Sequence, residues 1–140
     1  MKQLKFELRI SAPKEKVWEA LWADANYRKW TSIFGENSHA VGDWKEGSEI
    51  LFLGNEQSGM YSMIEKLNKY QEMTFKHLGE LKNGERIPGD WSGALEKYVL
   101  KEKDNVTVLV VTMDSNQEFA SYFEEKFPKA LNIVKEIAEC

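Results

Sequence analysis

Cysteine occurs once, at the last position, Cys140, so no disulfide can close within the chain and a reducing compartment suits it. No apolar stretch approaches the ~20 residues of a membrane-spanning helix. The opening decapeptide, MKQLKFELRI, alternates polar and apolar residues, unlike the continuous apolar region of a secretory signal. No run of Lys or Arg occurs and the net charge is −4, a balance that repels phosphate backbones and argues against a nucleic-acid partner. Also missing are the Gly-x-Ser-x-Gly elbow and both glycine-rich phosphate cradles, so neither nucleotide chemistry nor a cofactor is expected. Histidine is limited to His39 and His77, with no His-x-x-x-His spacing, and no metal site is expected. These absences describe a soluble, cytoplasmic protein of one domain over residues 1–140.

What the chain has in abundance is large rings: 12% of its residues are aromatic, with five Trp and seven Phe. Each ring can bury about 150–250 Å². Leu4, Phe6, Leu8 and Ile10 recur at period two and predict a half-buried strand. SAPKEKVWEALW then predicts a helix, with Ser11 as N-cap and Pro13 in its first turn. A second short helix, capped by Asp24, places Tyr27, Trp30 and Phe34 on one face. From His39 to Met113 six alternating segments are separated by short turns, the pattern of an antiparallel meander. Beyond Asp114 a long helix carries Phe119, Phe123, Ala130, Leu131, Val134 and Ile137 at helical spacing, with Pro128 inside it or starting its main part.

A bent antiparallel sheet of about seven strands, two short helices after the first strand and a long C-terminal helix make an α+β arrangement in which the sheet wraps the helix. SAPKEKVWEALW, YRKW, VGDWKEGSEILF, MTFKHLGELKNGE and FPKALNIVKEIAE occur in that order along essentially the whole chain. In these motifs the chain resembles the START/Bet v-type (SRPBCC) helix-grip superfamily, and within it the branch named for the activator of the ninety-kilodalton heat-shock ATPase. The resemblance implies a cavity between sheet and helix, since relatives bind lipids, hormones and polyketide-like compounds, and some are aromatase/cyclases. It also implies a competing role as a protein-interaction module regulating a chaperone ATPase. True activators carry a separate preceding domain, whereas this chain begins at its first strand, so a chaperone partner is the secondary expectation.

His77 shares its parity with Met73 and Phe75, which places the imidazole on the concave face. Three readings compete for it: metal ligand, general base, or polar wall residue, and the residues favour the last. Glu96 and Tyr98 share one strand face and with His77 could make an acid–base cluster, in which the candidates for an enzyme would be His77 and Glu96; an unpaired buried carboxylate is costly, so Glu96 is expected at the rim or paired with a Lys. The expected ligand-contacting set is Trp30, Phe34, Tyr61, Phe75, His77, Trp91, Tyr98, Phe119 and Phe123. Trp91 lies in the loop NGERIPGDWSG, read as a wide hairpin or a flap at the pocket mouth; the resemblance implies that Trp30 and Phe34 face the same end, where the three would form an aromatic gate. The expected function is binding of a small apolar or aromatic molecule, which requires that bulky rings hold the long helix off the sheet.

Overall fold

The computed structural model describes residues 2–87 and 92–140. Strand β1 (Lys2–Ile10) buries Leu4 and Ile10 and turns its charged residues outward. Helix α1 (Lys14–Trp22) begins after Pro13, whose φ of −69° suits a helix start and whose missing N–H costs nothing there. Ser11 is therefore not the cap; its N–H donates instead to Glu139 at 2.8 Å. Ala23, extended at φ −61° and ψ 134°, ends α1 and caps α2 (Asp24–Thr31) in one step. Asp24 is the first helical residue, and its carboxylate pairs with Arg28 one turn on, at 2.9 Å. A single 3₁₀ turn, Ser32–Phe34, closes the segment.

The remaining strands are β2 (His39–Gly42), β3 (Glu49–Leu53), β4 (Gly59–Asn68), β5 (Glu72–Lys82), β6 (Glu85–Ile87), β7 (Leu95–Lys103) and β8 (Val106–Ser115). All pairings are antiparallel, in the order β1-β8-β7-β5-β4-β3-β2, with β6 hanging from β5. That extra strand is the main departure from the predicted order. Asn83 and Gly84 both take positive φ, 52° and 83°, the geometry of a two-residue hairpin turn, and so fold part of the predicted open loop back on β5. Trp91, on which the flap expectation rests, lies outside the described residues.

Two register shifts on the β4–β5 pair decide which side chains face inward. Met60, Ser62 and Ile64 face inward on β4, and on β5 the inward set changes from Met73, Phe75 and His77 to Glu80 across an extra residue, Leu78. Helix α3 (Gln117–Glu139) is capped by Asn116, whose side chain accepts from the Phe119 amide at 2.9 Å, and it continues unbroken through Pro128. Its second half buries Ala130, Leu131, Val134 and Ala138, small enough to seat against α1 and β1. Its first half carries Phe119, Tyr122, Phe123 and Phe127 instead, and these rings cannot approach the sheet as closely.

Candidate functional site

Where the first half of α3 stands off, a cavity of about 590 Å³ lies between helix and sheet. Its wall comes from Tyr27, Trp30 and Phe34 of the α2 segment, Phe52 and Met60 of β3 and β4, and Phe119, Tyr122, Phe123 and Phe127 of α3. Phe127 closes the inner end, stacked on Phe6 at 5.1 Å between ring centroids and 5.3 Å from Phe34. Exposed Glu36, Asn55 and Phe119 mark the open end. Tyr122 hydroxyl donates to the Phe34 carbonyl at 3.2 Å, tying the mouth of the helix to the 3₁₀ turn.

The polar floor is a chain of four side chains from three neighbouring strands. Ser62 Oγ lies 2.7 Å from His77 Nδ1, His77 Nε2 lies 2.9 Å from Glu96 Oε1, and Tyr98 hydroxyl donates to Glu96 Oε2. With Glu96 ionised and the imidazole neutral, Nε2–H donates to the carboxylate and Nδ1 accepts from the serine hydroxyl. Burial and the Glu96 charge both push the Tyr98 hydroxyl well above the usual tyrosine range, and the same two causes act on Tyr27. Glu96 thus sits on the floor with His77 and Tyr98 as its partners, neither at the rim nor beside a lysine as expected from sequence. His77, Glu96 and Tyr98 face the cavity, whereas Ser62 is fully buried behind the imidazole and does not line it. Access rules Ser62 out as a nucleophile; what the floor can do is orient a polar group or hold a proton at His77 or Glu96.

Of the residues predicted to meet a ligand, Trp30, Phe34, His77, Tyr98, Phe119 and Phe123 line the cavity. Two do not. Tyr61 points to the opposite face of the sheet, over Gly79 and beneath the Arg86 guanidinium, because the inward parity of β4 belongs to Met60 and Ser62. Phe75 faces inward but is sealed in the core, edge-on to Phe52 at 4.9 Å and to Trp22 at 5.5 Å. Trp30 is wall and not gate, fully covered and anchored by an indole N–H donated to the Leu21 carbonyl at 2.9 Å. The rings at the mouth are Phe34, Phe119, Tyr122 and Phe123. Phe119 is 48% exposed there, so it belongs to the rim.

Sequence reasoning missed Phe52 and Met60, although Phe52 shares the parity of buried Ile50 and could have been placed from that alone. Ser62 had no local signal: it reaches His77 only through the register of β4 on β5. Glu36 and His39 both line the mouth, but they lie in and just after a turn, and no cluster of three metal-ligating side chains forms among the described residues. Among those residues, no helix is long and apolar enough to cross a membrane.

A family model described as Activator of Hsp90 ATPase homolog 1-like protein matches residues 11–139. No curated protein matches the sequence. Among solved structures, the Aha1 dimer from Colwellia psychrerythraea superposes at a TM-score of 0.77 with 23% identity, over 99% of this chain and 97% of that one. The AHSA1-like protein from Aeromonas hydrophila gives 0.72 with 14% identity, over 99% and 92%. CalU16 from Micromonospora echinospora gives 0.72 with 15% identity, over 97% and 75%. At such identities the likeness establishes a shared fold; function has to be argued from the site.

Proposed function

The chain belongs to the Activator of Hsp90 ATPase homolog 1-like family, a branch of the SRPBCC helix-grip superfamily, and from that premise we propose that it binds a small aromatic or apolar molecule between its sheet and α3. The observation that carries this reading is the cavity of about 590 Å³. Sites for small ligands commonly occupy about 300–1,000 Å³, mostly apolar, with a few polar groups that fix orientation. Here the rings of α2, β3 and α3 supply the apolar wall, and His77, Glu96 and Tyr98 supply the polar groups.

Flat aromatic compounds are expected to raise the melting temperature and quench tryptophan fluorescence, since Trp30 forms part of the wall. Ala94→Leu, which adds bulk at a lining position, is expected to abolish both responses while the far-UV circular dichroism is unchanged. Equal responses in the wild type and Ala94→Leu would place binding elsewhere and end this reading.

The contact between His77 Nε2 and Glu96 favours a second role, proton transfer on a bound compound in the manner of a cyclase. That role requires turnover that disappears in His77→Ala with the fold retained. A chaperone-regulating role draws on the family name and on exposed Phe119 and Tyr122, but both of these rings already serve the mouth of the cavity.

A further inference from the structure

The sign of the charge inside the cup narrows the ligand class, given the binding role proposed above. Its lining contains four carboxylates, Glu36, Glu80, Glu96 and Asp114, and, among the described residues, no Lys or Arg. Glu96 is the deepest of them, with a side chain only 16% exposed. Its two oxygens are met by an imidazole and a phenol, groups that donate hydrogen bonds yet leave the negative charge in place when both are neutral. The charge is felt around the floor: it contributes to the upward displacement of both the Tyr27 and the Tyr98 hydroxyl. Asp114, at the end of β8, borders the cavity with one oxygen accepting from the Leu95 amide at 3.1 Å.

Around these carboxylates stand ring faces from the α2 segment, β3 and α3. A ring face carries partial negative charge, so aromatic walls and carboxylates attract the same kind of guest. A cavity with low-dielectric walls and one sign of charge also concentrates ions of the opposite sign at its mouth. A fatty acid or other carboxylate would meet like charge on entry and, among the described residues, no Lys or Arg in the lining to receive its head group. A neutral polycyclic compound would satisfy the rings and ignore the acids.

We propose that the cup selects an organic cation: a protonated amine carried on an aromatic or polycyclic body, the body between Trp30, Phe52 and the α3 rings and the ammonium directed at Glu96. The amine brings its own positive charge to a floor that has none of its own beyond what protonation of His77 can supply. Binding therefore pairs Glu96 electrostatically without disturbing its bonds to His77 and Tyr98.

Three probes with one carbon skeleton test this: 1-naphthylmethylamine, 1-naphthylmethanol and 1-naphthoic acid, each titrated by calorimetry into the wild type, Glu96→Gln and Glu80→Gln at pH 7. In the wild type the amine is expected to bind at least tenfold more tightly than the alcohol, and the acid most weakly. Glu96→Gln is expected to remove most of the amine's advantage while the alcohol's affinity stays within about twofold. Glu80→Gln, at an exposed position near the mouth, is expected to reduce the advantage less and to weaken its dependence on salt. If Glu96→Gln fails to fold, that salt dependence and the order of the three probes still decide the matter. Should the alcohol or the acid bind as well as the amine, cation selection is overturned and the binding role stands; should none of the three bind, both fall.

Discussion

At the scale of single residues, the fold keeps phenols neutral and a carboxylate partnered. Tyr27 and Tyr98 are buried beside Glu96, and burial followed by the nearby negative charge raises both hydroxyls well above their ordinary value. The consequence for stability has a definite sign. Below about pH 10 the two phenols are neutral in folded and unfolded chains alike. Above it the unfolded chain releases protons that the folded one retains, so stability falls as pH rises. In an ultraviolet titration only part of the phenolate signal of the five tyrosines should appear reversibly. The share of Tyr27 and Tyr98 should appear together with loss of far-UV circular dichroism. Ionisation of all five before any unfolding would contradict their burial. Position parity made His77 and Tyr98 legible from sequence, yet the same reasoning misplaced Tyr61, chosen for its ring although Met60 and Ser62 hold the inward parity of that strand.

At the scale of elements, close approach between strands is set by glycines at two points on β4 and β5. A Cβ on Gly59 would lie 1.8 Å from the Phe52 carbonyl oxygen, and that oxygen is backbone, which cannot swing aside. Gly59→Ala should therefore cost ~3 kcal/mol or more in urea denaturation, since the start of β4 must separate from β3 to relieve the clash. A Cβ on Gly79 would meet the end of the Tyr61 ring at 2.4 Å, a side chain that can rotate away, so Gly79→Ala should cost less, ~1 kcal/mol. Equal stability of the two variants would contradict the contrast between a backbone neighbour at Gly59 and a side-chain neighbour at Gly79. Element types were readable because alternation, helical spacing and turn residues agreed over long runs. The Asn83–Gly84 turn was readable too, as the residue pair most typical of a two-residue hairpin, but the glycines and proline after it drew the whole stretch into a single loop.

At the scale of the whole molecule, α3 is closed at one end and open at the other, and stability should follow that division. Leu131 is fully covered in the closed half, so Leu131→Ala should cost ~3 kcal/mol, the transfer of the side chain plus the void it leaves. Phe123 is only partly covered and already borders empty space, so Phe123→Ala should cost ~1 kcal/mol or less despite removing more atoms. Matched urea curves would test this, and a larger loss at Phe123 than at Leu131 would mean that the open half packs as core. The same asymmetry explains why Phe119 and Tyr122 remain exposed on an otherwise well-buried helix: they form the rim of the cup.

By itself the sequence determined the local elements, the antiparallel order and the family, because each follows from residue type and short-range spacing; that acids and not the chain's many Lys and Arg line the cup, among the described residues, was decided by the fold. The tertiary structure alone decided whether the rings fill the interior or surround a space, since the same aromatic residues serve either. It also decided that Ser62, His77, Glu96 and Tyr98 join into one floor. Those four come from three strands, and their meeting depends on a bulge at Leu78 that shifts the register by one residue, a displacement no local pattern in the chain encodes.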